Sequence, residues 1–250
     1  MLILMPKRQT YDDQGMQTIQ VYTAMQLSQT KLKGQNSIRT HKYTLVTFFP
    51  FSLMHQFTRA ANIYFLVRVI LQAIPYISPF SPISFLFPFL FVIFFSMIKD
   101  CVEDYRKYKN DKRTNSTKTR IFNGREFATD AWENIAVGDI VQVLQDEVVP
   151  ADLVLLDARG SMGREGTCFI ETSSLDGERN LKQRTCIQSC QELAKSMESL
   201  ASANISVEVP PSNTKFYELD GKLTIDGKES LGLNKNQFLP RGAVLKNTES

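Results

Sequence analysis

Apolar residues gather in one block, residues 60–98, with a polar stretch on either side. Arg68 is the only charge in it. Pro75, Pro79 and Pro82 divide the block, and three prolines so close together stop a helix and turn the chain. As helices, residues 60–77 would span about 27 Å and residues 83–98 about 24 Å. Each length approaches the roughly 30 Å hydrocarbon core of a bilayer. The run from Phe85 to Phe95 is apolar on every face, which a helix at a water-facing surface cannot be. The pattern predicts a membrane α-hairpin of two transmembrane helices, the second kinked at Pro88. Beyond it, Glu103 and Lys107 are spaced to pair along a solvated helical stalk.

From Arg120 the period changes. Ile121 to Phe127 contains an Asn123-Gly124 hairpin turn, residues 140–144 alternate, and residues 153–156 read as a buried strand. Residues 167–171 lead into the candidate loop described below, and residues 215–219 and 222–225 flank a tight hairpin turn at Asp220-Gly221. Residues 191–203 read as a helix and residues 209–212 as a linker. Short strands and turns at this spacing predict a mainly-β sandwich or distorted jelly roll. Asp139 and Asp152 stand at turns, where an aspartate bonds the backbone.

The segment 1–35 is polar and reads as a flexible tail. Its apolar start precedes Pro6, Lys7 and Arg8, the reverse of the order in a secretory leader. Net charge is +3, too small to indicate nucleic acid. The four cysteines form no Cys-x-x-Cys pair and there are two histidines, which argues against a zinc site and for reduced thiols. Basic residues flank both ends of the apolar block and none lies in its central turn, so both termini are expected in the cytosol. Aromatic residues beside Lys42 and Tyr43 suit a membrane interface in residues 36–59.

The candidate chemistry lies in residues 171–182, Glu-Thr-Ser-Ser-Leu-Asp-Gly-Glu-Arg-Asn-Leu-Lys. Gly177 accepts a positive φ without steric cost, so an Asp176-Gly177 turn can carry Glu178 to a loop tip. A carboxylate there can orient a water or take its proton when the loop docks on another surface. Two polar residues of the first membrane helix, Arg68 and Gln72, are candidates for lipid contact.

Residues 175–182 resemble the actuator-domain loop of the phospholipid-transporting P-type ATPases, the flippases, which reads Leu-Asp-Gly-Glu-Thr-Asn-Leu-Lys; Arg179 stands where that family has threonine. Residues 36–43 resemble the family's Asn-x-Ile-x-Thr-x-Lys-Tyr, and residues 53–66 the start of its first membrane helix. Residues 99–104, 132–141 and 149–152 are further matches, and residues 238–248 still resemble the actuator domain.

The resemblance implies that Glu178 positions the water that hydrolyses an aspartyl phosphate, with Asp176 and Gly177 shaping the loop. It implies that Gln72, just before Ile74-Pro75, contacts a lipid headgroup at the gate, with Arg68 a second contact. The expected layout is a tail (1–35), a cytosolic or interfacial lead-in (36–59), the hairpin (60–98), a stalk (99–119) and a cytosolic, mainly-β actuator domain incomplete at its C-terminus (120–250). The family's Asp-Lys-Thr-Gly-Thr segment is absent from these residues. The phosphorylation and nucleotide domains are therefore expected partners, with phospholipid, the membrane and room for an accessory subunit. ATP and Mg2+ are implied for the full-length family, no cofactor or metal for this chain, and no activity for it alone. The alternative is a non-enzymatic membrane-anchored module or truncated paralogue. A cation-pump relative fits less well, since those pumps carry Thr-Gly-Glu-Ser where Asp-Gly-Glu-Arg stands at 176–179.

Overall fold

The computed structural model describes residues 2–4, 17–21, 36–74, 81, 83–159, 165–209, 220–227 and 229–247. The expected turn at 75–82 falls mostly outside these residues, as do the expected strand at 215–219 and most of the linker at 209–212. The chain divides into a helical unit, residues 38–114, and a β-rich unit, residues 1–37 with 115–250.

Two short strands lie in the segment expected as a tail, β1 (Leu2–Leu4) and β2 (Gln17–Val21). The helical unit holds α1 (Leu45–Gln56), α2 (Ala60–Gln72) and α3 (Ile83–Asn115). The 33-residue α3 is long and apolar enough to cross a membrane. The 13-residue α2 is a shorter apolar helix, about 20 Å in length. One helix of spanning length and one shorter candidate thus stand where two spanning helices were expected.

This unit reverses the burial pattern of a water-soluble protein. Ser52, Gln56, Asn62, Gln72 and Asp111 are buried, while Val46, Phe49, Tyr64, Phe87 and Phe94 are exposed. Inward polar groups need partners. Gln56 donates to Asp100 at 2.7 Å, and Asn62 donates to the Gln56 carbonyl at 2.7 Å. A shell of phenylalanine outside such a core suits a hydrocarbon solvent.

The lead-in is held to α3 by carboxylates. Asp111 accepts from the backbone N–H groups of Thr40 (2.8 Å) and His41 (3.1 Å), and from the Thr40 hydroxyl (2.5 Å). His41 Nδ1 lies 2.8 Å from the same carboxylate. Asp104 accepts from the N–H groups of Lys42 (2.8 Å) and Tyr43 (3.2 Å). Four successive backbone donors that no helix or sheet serves are thereby satisfied. At 3.6 residues per turn, Asp100, Asp104 and Asp111 fall on one face of α3. Burial of Asp111 opposes its charge, but these hydrogen bonds outweigh burial and hold the carboxyl well below the usual carboxylate range. On the outer side Lys107 pairs with Glu103 at 2.7 Å, as their spacing predicts.

The β-rich unit continues with β3 (Lys118–Phe122), β4 (Phe127–Ala131), β5 (Ile140–Gln142), β6 (Leu153–Leu155) and β7 (Thr167–Glu171). Then come the single-turn α4 (Ser173–Asp176), β8 (Lys182–Thr185), α5 (Gln188–Ala194) and α6 (Met197–Ser202). The last strands are β9 (Ile205–Val209), β10 (Gly221–Ile225), β11 (Glu229–Leu233), β12 (Phe238–Leu239) and β13 (Val244–Lys246). They form three antiparallel sheets, ordered β12-β6-β1-β5-β3-β4, β11-β10-β9-β2 and β13-β7-β8.

Side chains alternate across the six-stranded sheet. Ile121, Val141, Leu153 and Leu155 join a core with Cys168, Ile170 and Leu245. Phe122, Ile140, Val154 and Leu156 join a second core with Ile205, Val207 and Leu223. The sheet therefore separates two cores, which is why residues 153–156 are apolar without interruption.

The expected Asn123 hairpin joins β3 and β4, its side-chain oxygen accepting from the N–H groups of Arg125 and Glu126 at 3.0 Å each. The helix expected over 191–203 is two, broken at Lys195-Ser196 with an extended Ser196. Cys190 and Leu200 from the two pieces enter one core. The reversal beside β10 is at Asp226-Gly227, joining β10 to β11, while Gly221 lies inside the strand. A β-carbon on Gly221 would sit 2.7 Å from the Glu208 carbonyl oxygen. Gly221→Ala should cost about 1–3 kcal/mol, read as a lower denaturant midpoint. An unchanged midpoint would show that β9 gives way.

Asn36 pins the start of the lead-in to the β-rich unit. Its amide donates to the carbonyls of Trp132 (3.0 Å) and Pro150 (3.1 Å), and its side-chain oxygen accepts from Arg241 at 3.0 Å. Asp139 and Asp152 bond backbone as expected, accepting from Ala136 N (2.8 Å) and Arg241 N (2.9 Å).

Candidate functional site

The loop after β7 begins with a buried threonine. Thr172 is fully covered, and α4 makes one helical turn after it. The turn ends at Gly177, whose φ of 77° is the left-handed conformation glycine adopts freely. Four residues, one turn, separate Thr172 from Asp176. The Thr172 hydroxyl donates to both Asp176 oxygens, at 2.9 and 3.0 Å. Asp176 also accepts from the Glu178 backbone N–H at 2.9 Å and pairs with Lys182 at 2.5 Å. Its carboxylate is thus committed to holding the loop. Ser174 ties α4 to the Gly242 carbonyl at 2.8 Å.

Glu178 differs. Its side chain is 60% exposed and touches the loop through Lys182, 3.0 Å away. Lys182 therefore bridges the two carboxylates, one held from several sides by the loop and one largely exposed. Arg179 and Asn180 are exposed beside it. The arrangement can present one carboxylate, with its backbone fixed from behind, to a surface in front of the loop.

Asp176 closes the helical turn, Gly177 ends it in the left-handed conformation, and Glu178 follows, exposed. Thr172 and Lys182 were not among the sequence candidates. The four-residue spacing of Thr172 and Asp176 is the signal that could have found the first.

The other candidates lie in the helical unit. Arg68 is on the exposed side of α2, 6.0 Å from the Tyr64 ring centroid and 5.5 Å from that of Phe85, within cation–π range. Gln72 is buried in the last turn of α2. The cysteines are free thiols. Burial pushes Cys168 and Cys190 up to about 12 and raises Cys186, so these three are poor sources of a thiolate near neutral pH. Among the described residues no group of three or more His, Cys, Asp or Glu could hold a metal ion.

Residues 21–86 match the family described as the phospholipid-translocating ATPase N-terminal region. The chain is 40% identical over 218 residues to phospholipid-transporting ATPase VD of Mus musculus, covering 86% of this chain and 15% of that protein. It is 40% identical over 214 residues to phospholipid-transporting ATPase 6 of Arabidopsis thaliana (85% and 17%). It is 38% identical over 223 residues to phospholipid-transporting ATPase IC of Xenopus tropicalis (89% and 17%). The chain therefore spans 15–17% of the length of these relatives.

Proposed function

We propose that this chain, which belongs with the N-terminal region of the phospholipid-transporting ATPases, supplies the first helix pair and the dephosphorylating loop of an ATP-driven phospholipid pump. The β-rich unit is its actuator domain, with a distorted jelly-roll plan. Residues 60–98 are a membrane hairpin with both flanks in the cytosol. The observation that carries the reading is the exposed Glu178 carboxylate on a turn whose neighbouring carboxylate is already occupied.

In this reading the loop docks on an aspartyl phosphate held by a separate domain. Glu178 orients a water and takes its proton as the water oxygen bonds to phosphorus. The acyl P–O bond breaks, and phosphate leaves the regenerated aspartate. Asp176, Thr172 and Lys182 do not touch the phosphorus; they set the position of the tip. Gln72 hydrogen-bonds a lipid headgroup, and Arg68 is a second lipid contact. ATP and Mg2+ act where the phosphoryl group is transferred.

One measurement tests the division of labour. Residues 1–250, purified in detergent with lipid, should hydrolyse ATP no faster than their Glu178→Gln variant. Hydrolysis clearly above that control overturns the reading.

A further inference from the structure

We propose that Arg179 is a second working residue of the loop, its guanidinium holding two oxygens of the phosphoryl group on which Glu178 acts. The inference rests on the dephosphorylating reading of the loop and adds a residue that this reading leaves idle.

The charges of the loop do not balance without it. Residues 172–182 carry two carboxylates, Asp176 and Glu178, and two cations, Arg179 and Lys182. Lys182 lies against both carboxylates. Asp176 takes further bonds from the Thr172 hydroxyl and the Glu178 N–H. Arg179 is exposed and, among the described residues, has neither a hydrogen bond nor an ion pair. Glu178 is its neighbour in the chain, yet it pairs with Lys182. An arginine that served to neutralise Glu178 would take that place. The guanidinium is instead left over, a full charge with N–H donors in a planar fork and no acceptor.

What suits it is an anion in front of the loop. Glu178 approaching a phosphoryl group brings like charges together, a repulsion that a nearby cation offsets. Reach favours Arg179 for that place. Consecutive Cα atoms are about 3.8 Å apart, and an arginine carries its outer donors further from the backbone than a glutamate carries its oxygens. A water about 2.8 Å from the carboxylate, with phosphorus about 3.3 Å beyond it, sets the phosphoryl oxygens at that greater depth. The fork meets two oxygens at once, which the single hydroxyl of the family's threonine cannot do.

The setting strengthens the contact. Residues 174–181 are exposed without a break, and Leu175 and Leu181 flank the charged pair with bare apolar side chains. Covered by a partner surface, those leucines keep water from the guanidinium and the phosphoryl group. The backbone behind is fixed through Thr172, Asp176 and Ser174, so little order is lost when the tip docks.

In the step itself the water oxygen bonds to phosphorus, the bond from phosphorus to the aspartate oxygen breaks, and Glu178 takes the water proton. Arg179 gives up no proton. It donates hydrogen bonds to the non-bridging oxygens, over which the charge of the transition state is spread.

The test uses a full-length protein that carries this segment, with Arg179→Gln, Arg179→Lys and Glu178→Gln made separately. Arg179→Gln should slow decay of the aspartyl phosphate about 100-fold and weaken inhibition by orthovanadate, a mimic of phosphoryl transfer, about tenfold or more. Arg179→Lys keeps the charge but not the fork, and should fall between Arg179→Gln and the native protein. The melting temperature should hold, and the slowing should be the same at every pH, because the guanidinium does not titrate. Native decay and native orthovanadate sensitivity in Arg179→Gln overturn the proposal, whatever Glu178→Gln does. Equal slowing in Arg179→Gln and Arg179→Lys with a lowered melting temperature also overturns it, as the mark of a residue that holds the loop. Native decay in Glu178→Gln beside slow decay in Arg179→Gln overturns the role of Glu178 and supports the contact of Arg179 with phosphate, so the two can fail separately.

Discussion

Glu178→Gln, introduced into a full-length protein that carries this segment, should, on the proposed reading, slow decay of an aspartyl phosphate by about 100-fold or more, the scale of a lost general base. Glutamine keeps the shape and can still hydrogen-bond, but it cannot take a proton from water. The phosphorylated form should accumulate, and its rate of formation should hold. Folding should be nearly untouched, because the side chain is 60% exposed and its ion pair with Lys182 is a surface contact of small worth. The prediction therefore rests on a split: a large change in decay with little change in melting temperature. Decay at the normal rate would remove Glu178 from the chemistry. A lowered melting temperature would mean that the carboxylate holds the loop rather than serving its docking surface.

Asp111→Ala should give the largest loss of stability in the helical unit, about 3 kcal/mol or more, the scale of breaking a buried, charge-assisted network. The carboxylate is 3% exposed and accepts from two backbone N–H groups and one hydroxyl, with His41 Nδ1 also in reach. Alanine leaves those donors unpaired. Acid should reproduce part of the effect in the native chain. A depressed folded-state pKa means that the contribution is fully present above the ordinary value of 3.8 and is lost as pH falls below it. The gap between native and variant chains should thus be full at neutral pH and close progressively below pH 3.8. Unfolding in detergent followed by circular dichroism across that range measures it. A gap that is constant with pH would mean that the bonds, not the charge, carry the effect.

How much of this could be read beforehand follows from the range of each interaction. The loop was legible because glycine at a turn is a local rule, and Asp176, Gly177 and Glu178 lie where that rule puts them. The strands around Val141 and Val154 were legible because alternation, in the first, and a short unbroken apolar run, in the second, are local too. Asp104 and Asp111 were not. Their partners are 61 to 71 positions earlier, and a carboxylate on a charged helix reads as a solvated one. Nor was α1 legible as a helix, since its face rule is reversed and Phe49, Pro50 and Phe51 mask any ordinary amphipathic stripe. The break at Lys195-Ser196 reflects two side chains reaching one core, a tertiary demand that no single window of sequence contains.

The β-rich unit has one further property because β6 sends Leu153 and Leu155 to one core and Val154 and Leu156 to the other. Neither half can loosen this strand without exposing apolar groups of its neighbour. The two halves should therefore lose structure together, as one transition in calorimetry rather than two.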